Sequence, residues 1–306
     1  MTMHRHIMAA PAGRSLAVAF RLDPSRTGGT RRQFVADVQR RCKALDRDVW
    51  TSIVDQDCFG IDAEHAQAAV TALSPAGKHR FAFTVSDRKL EGFMDWLLRE
   101  QRRRILEVVE GEPMAASGAW FSKYIQRAYG QGITGTRARL RKARYDIEAK
   151  AGTMGGIRAT IGGPVHAERI ALLYGRTYEQ LKSVIDAASG QARQRLADGL
   201  RRGIAEGFAL GKSPREVARS LAHNVIDRLD KIGRSRLEMI ARTEVARAQH
   251  VAGVTECERI SKDLLVDIEA EWLTAGFGVC DICQQMEAEG PYSLQAVYDM
   301  IPAHPN

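Results

Sequence analysis

Apolar residues recur along most of this chain at spacings of three and four, the mark of helices with one buried face. Phe34, Val38, Cys42, Leu45, Val49 and Ile53 align in this way and predict a helix over about 31–55. Cys42 then reads as a core thiol, and so does Cys58 just beyond. Leu90, Phe93, Met94, Leu97, Leu98, Ile105 and Val108 predict a second helix, capped at Ser86 and stopped at Gly111-Glu112-Pro113. Its arginines Arg102, Arg103 and Arg104 read as a solvated face. Trp120, Phe121, Tyr124, Ile125, Ala128 and Tyr129 form an aromatic stripe on a third helix, more often core than ligand site. Between the first two helices, the alternation in Arg80 to Val85 predicts a short strand.

Glycines at 152, 155, 156, 162 and 163 break the pattern, and neither glycine group has the strand–turn–helix spacing of a phosphate-binding loop. The pattern after Pro164 is strongly helical. Ile170, Leu173, Tyr174, Tyr178, Leu181 and Ile185 face inward on one helix, and Leu196, Leu200, Ile204 and Phe208 on the next. Ser213-Pro214-Arg215-Glu216 has the serine, early proline and reaching glutamate of a capping box. A helix to about Val225, a turn at Gly233 and a long helix from about 234 to 260 follow. The period then drops to two: Val266, Ile268, Ala270 and Trp272 share one face, opposite acids, and predict a half-buried antiparallel strand.

The expected fold class is therefore mainly α, one or more helical bundles with a small C-terminal β cap resembling a zinc knuckle. The expected divisions are an arm at 1–29, a helical domain at 30–150, a linker at 151–164, a helical bundle at 165–262 and the cap at 263–306. At 306 residues the chain is long enough for two buried cores. Its 44% hydrophobic and 27% charged composition is that of a globular protein, and no apolar run is long enough to span a bilayer.

The formal net charge of +8 makes an anionic partner plausible. Arg137, Arg139, Arg141, Lys142 and Arg144 form the densest local patch for one, although basic helix faces are commonly just solvated. Five cysteines do not form a secreted disulfide framework, which fits synthesis in a cytoplasm. Cys280 and Cys283 stand two residues apart after a glycine-rich turn, a spacing that suits one zinc or a redox pair, and His304 follows. A structural zinc wants four ligands, and these are three. Cys257 and a residue beyond Asn306 are the candidates for the fourth. Arg242, Thr243 and Glu244 sit within the last long helix, either as catalytic groups or, the preferred reading, as an ion pair tying that helix to the neighbouring strand. His166, His223 and His250 have no Ser or Cys at a readable spacing, so no nucleophile–base pair is evident.

Several of these segments, taken in order, resemble the Mu F-like phage head morphogenesis proteins, also called minor head or minor capsid proteins. The matching features are Arg169-Ile170, Tyr174-Gly175-Arg176-Thr177, the glycine-bearing helix with Leu200, Gly203, Gly207 and Gly211, and Ile240 to Ala248. Glu271-Trp272-Leu273-Thr274-Ala275, the Cys280–Cys283 pair and Ile301 to Asn306 complete the set, which covers about 165–306. The sequence lacks the Cys-Arg-Cys that follows His-Pro-Asn in the family. The resemblance implies a non-enzymatic structural protein of the virion, made in the host cytoplasm and acting in head assembly. Implied partners are the portal and major capsid proteins, packaged DNA and other copies of the chain on the portal, with no membrane. It also implies a structural zinc clasp, with Trp272 and Arg242-Thr243-Glu244 in structural or interaction roles. The other readings are an HNH-type metal-dependent nuclease, which lacks a His-His or Asp-His pair here, and a zinc-knuckle DNA-binding protein.

Overall fold

A computed structural model describes residues 6–7, 26–61, 87–107, 118–143, 147, 156–187, 191–272 and 281–299. These residues are mainly helical: ten α-helices, three π-helical turns and three very short strands. The chain divides into two compact units. One draws on Met1–Val35, Ala115–Thr177 and Ala241–Asn306, the other on Ala36–Met114 and Tyr178–Ile240. Each unit therefore takes residues from both sides of the 151–164 segment, a different partition from the sequential one read from the sequence. The expected strand at 80–85 lies outside the described residues.

The second unit is built on α2 (Asp87–Gln101), α6 (Gln191–Ala209) and α7 (Pro214–Leu229), with most of α1 (Gly28–Trp50) and the start of α8 (Ser235–Leu264). Its core gathers Leu45, Val49 and Ile53 with Phe93, Leu97, Leu200, Ile204, Val217 and Leu221, all buried. Each such side chain removed from water contributes about 1.5–3 kcal/mol. Helix α7 starts where its cap demands. The Ser213 hydroxyl accepts from the Glu216 amide at 3.4 Å, and Glu216 Oε2 accepts from the Ser213 amide at 2.8 Å. Helix α6 lies close to α7 because its glycines face it: a Cβ at Gly207 would meet Val217 at 2.7 Å, and one at Gly203 would meet Leu221 at 3.1 Å. Gly233 does not make the expected turn. It lies in a π-helical segment, Asp230–Arg234, that runs from α7 into α8. Arg104 is likewise not a solvated arginine, since its Nε and Nη2 donate to both oxygens of Asp48 at 2.7 and 3.0 Å.

The first unit is centred on α3 (Ser122–Lys142) and the later part of α8, with α4 (Ile157–Ile161) and the start of α5 (Pro164–Ala187). The aromatic stripe is core, as expected: Phe121, Ile125 and Tyr129 are fully buried, and the Phe34 and Tyr124 rings stack 4.9 Å apart. Every residue from Val251 to Cys257 is buried, so α8 has no solvent face there. It crosses α3 at Gly132, where an added Cβ would reach Ala252 Cβ at 2.7 Å. Part of the expected 151–164 linker, α4, is helical and buries Thr160.

The C-terminal region departs from the expected cap. The predicted strand shrinks to β2 (Ile268–Ala270), with Ile268 buried and Trp272 half-buried beyond its end. Strand β1 (His6–Ile7) pairs parallel to it, and β3 (Tyr292–Ser293) pairs antiparallel, Glu269 opposite Ser293. Two short helices, α9 (Asp281–Glu289) and α10 (Leu294–Asp299), supply the rest of what is described. The cap is thus more helical than a zinc knuckle, because residues 281–289 take a helical period.

Candidate functional site

Within the first unit, α8 places two glutamates in the interior, and each meets its cations in a different way. Glu256 is fully buried. Arg137 Nε donates to its Oε1 at 2.6 Å, and Arg259 donates through Nη2 to Oε1 at 2.9 Å and through Nε to Oε2 at 3.0 Å. His166 Nε2 lies 3.2 Å from Oε2, and Arg137 Nη2 reaches Thr160 Oγ1 at 2.8 Å. Helices α3, α5 and α8 thereby converge on one carboxylate, while Thr160 of α4 holds Arg137. Burial alone would raise its pKa, but the hydrogen bonds from His166, Arg259 and Arg137 outweigh that and lower it to about 2. With its lone pairs occupied, this carboxylate is placed as a structural anchor rather than as a base.

A fixed polar chain continues from there. His166 Nδ1 lies 3.0 Å from the buried Tyr129 hydroxyl, whose pKa is raised, first by burial. Through its two ring nitrogens His166 thus stands between the Tyr129 hydroxyl and the Glu256 carboxylate. The sequence showed neither partner of His166, because both lie on other helices.

Glu244 is the second glutamate, also buried. Arg176 Nε on α5 lies 3.4 Å from its Oε1 and Arg247 Nε lies 3.7 Å away. Burial raises its pKa against the opposing pull of Arg247 and Arg176. Among the described residues, Glu244 Oε2 and Arg247 Nε have no hydrogen-bond partner. The Arg176–Glu244 pair ties α8 to helix α5, whereas the sequence pointed to a neighbouring strand. Arg242 and Thr243 beside it are half-buried.

The basic patch divides. Arg137 is interior and engaged by Glu256, while Arg139, Arg141 and Lys142 are exposed on the last turn of α3; Arg144 lies outside the described residues. Of the three expected metal ligands, Cys280 and His304 also lie outside them. Cys283 is half-buried in the first turn of α9, so the described portion does not bring the three together. Cys257 packs with Leu140, Ile147, Ile260 and Ile268, and burial pushes its pKa up to about 11. It is a core thiol and a poor fourth ligand. No group of three His, Cys, Asp or Glu side chains that could hold a metal occurs among the described residues. Burial also keeps Cys58 protonated, with a pKa of about 11.

A cavity of about 350 Å³ opens beside this charged region, lined from α3 by Thr136 and Arg139, from α8 by residues between Gln249 and Cys257, and by Trp272, Leu294 and Val297. His250 Nε2 donates to the Val297 carbonyl at 2.9 Å, and Arg169 lies 4.4 Å over the Tyr298 ring, so α10 is held along one side. Among the described residues no helix is long and apolar enough to cross a membrane. Compared with protein-family models, with curated proteins and with solved structures, the chain finds no significant match in any of the three.

Proposed function

We propose that this chain is a structural minor head protein of a tailed phage, acting in head morphogenesis at or near the portal and the packaged DNA. The observation that supports the reading is the Arg176–Glu244 contact at 3.4 Å. Two of the segments on which the resemblance rests, Tyr174 to Thr177 and Ile240 to Ala248, meet there through their charged residues. Those charges serve to hold helices together, as a scaffold protein needs, and the arginines around Glu256 do the same. The reading assigns portal and major capsid proteins as partners, with the exposed Arg139 and Lys142 on the last turn of α3 facing the DNA backbone.

The test is co-expression of the full chain with the portal protein encoded in the same genome, together with protein analysis of purified heads. The expected result is co-purification with the portal and a few copies per head. Absence from both would overturn the reading. Incubation with plasmid and Mg²⁺ or Mn²⁺ separates the nuclease alternative: cleavage that disappears in His304→Ala would replace the structural role.

The zinc clasp in this proposal rests on Cys280, Cys283 and His304 and on the resemblance. The described residues do not complete a zinc site, and Cys257 packs among apolar side chains. Metal analysis of full chain purified without chelator tests the clasp. About one zinc per chain, lost in Cys283→Ser, supports it; equal zinc in both proteins removes it.

A further inference from the structure

We propose that the cavity between α3, α8, β2 and α10 is a binding site for an amphipathic organic anion, a flat apolar body carrying one carboxylate or phosphate. Its volume of about 350 Å³ lies in the range of small-molecule sites. The deep part is apolar: Val254, Cys257 and Val297 are buried, with Leu294 partly covered beside them. Groups with polar edges on all sides would lose hydrogen bonds there, so the floor selects an aliphatic or aromatic body. Trp272, half-buried on the wall, offers a ring face for that body to stack on.

The charge of the site comes from α3. That helix contains no acidic residue, and Arg139, Arg141 and Lys142 occupy its last turn. Arg139 lines the cavity, and among the described residues its side chain makes one long contact, 3.4 Å to Thr136 Oγ1, which leaves donors for a ligand. Its positive charge reaches the floor, where it opposes the burial that raises the Cys257 pKa. Among the described residues Glu271 is the one carboxylate on the lining; it disfavours an anion near it, so the head group belongs at the Arg139 end. His250 keeps α10 in place as part of the wall through its bond to Val297. The site stands on these residues whether or not the chain belongs to a phage head. Free ligand in solution and the side chain of an acidic partner segment present the same chemistry to this site.

The probes are 1-naphthylacetate and its neutral analogue 1-naphthylacetamide, titrated calorimetrically into the full chain. The expected result is saturable binding of the acetate, weaker by about tenfold or more for the amide and for Arg139→Gln. Leu294→Trp, which fills the cavity from its partly covered side, is expected to abolish binding with the helical circular dichroism unchanged. An acidic peptide carrying one naphthylalanine that binds more tightly than the free acetate points to a partner segment; weaker binding points to a free ligand. Equal affinity for acetate and amide, no effect of Arg139→Gln, or no saturable binding overturns the proposal. So does a dT oligonucleotide that binds through Trp272 when the acetate does not.

Discussion

Arg176 and Glu244 form an unequal pair: the arginine side chain is 46% exposed and the glutamate side chain only 3%. The arginine can find water when the contact breaks, whereas the glutamate cannot. Losing the arginine therefore leaves a buried carboxylate faced by Arg247 at 3.7 Å, and Arg176→Gln is expected to lower stability at pH 7 by more than the ~1 kcal/mol of an exposed pair. The glutamate carries the larger consequence, in its pH dependence. Burial raises its folded pKa above the ordinary 4.5. The folded chain then binds the proton more tightly than the unfolded chain, so this group makes stability fall as pH rises from about 4.5 through the raised value. Glu244→Gln should flatten that part of the pH–stability curve and leave stability near pH 7 within about 1 kcal/mol of wild type. Urea unfolding of both variants across pH 4 to 8 checks this, and an unchanged slope in Glu244→Gln would sink the argument.

Glu256 should behave in the opposite sense. Its folded pKa is held at about 2 against an ordinary 4.5. Its contribution is complete above about 4.5 and disappears as the pH falls toward 2. Glu256→Gln leaves Arg137 and Arg259 without their anion in the interior and is expected to cost about 3–5 kcal/mol at pH 7. The variant should also lose the acid sensitivity between pH 4.5 and 2. Thermal unfolding in that window separates this role from an incidental one: parallel curves for variant and wild type would reject it.

The contrast between these glutamates shows what the sequence could and could not reveal. Phe34, Val38, Cys42, Leu45, Val49 and Ile53 were readable as one buried face because α1 has a polar face to set them off, and all six are buried. The capping box at Ser213 was readable because it is local. Helix α8 offers no such contrast between Val251 and Cys257, so nothing in the pattern marked Glu256 as interior. Its partner Arg137 sits among four other basic residues and read as part of a solvated patch. His166, Tyr129 and Thr160 join the network only through tertiary packing. The cavity escaped the sequence for the same reason, since Arg139 on α3 and Trp272 beyond the end of β2 lie far apart in the chain. The alternation around Ile268 was real, but only three residues find strand partners.

Glycine positions discriminate between packing and intrinsic helix preference. At Gly175, on α5, an added Cβ meets nothing within 4 Å. Gly175→Ala should therefore gain the helix propensity of alanine and stabilise by about 1 kcal/mol. At Gly132 the same methyl group would run into the Gln249 carbonyl and stand 2.7 Å from Ala252 Cβ, and backbone cannot swing aside as a side-chain tip can. Overpacking there should exceed the propensity gain, leaving Gly132→Ala destabilised by about 1–3 kcal/mol. Denaturant midpoints of the two variants should move in opposite directions; movement in the same direction would show that α3 and α8 are not in close contact at Gly132.

Leu265 gives a final test, because it combines an unfavourable backbone with a side chain that contributes no burial. It follows the last residue of α8 at φ +56° and is 90% exposed. The Val266 amide donates back to the Ser261 carbonyl at 3.1 Å, which closes the helix with a left-handed residue at 265. Glycine is the residue such a closure favours, and leucine pays about 1–2 kcal/mol for adopting it. Leu265→Gly also gives the unfolded chain more freedom, which offsets part of that gain. The net expectation is stabilisation of up to about 1 kcal/mol. Leu265→Val, whose branched side chain resists positive φ, should destabilise instead. A thermal midpoint that rises for glycine and falls for valine fits this closure of α8; the reverse order would mean that α8 ends in another way.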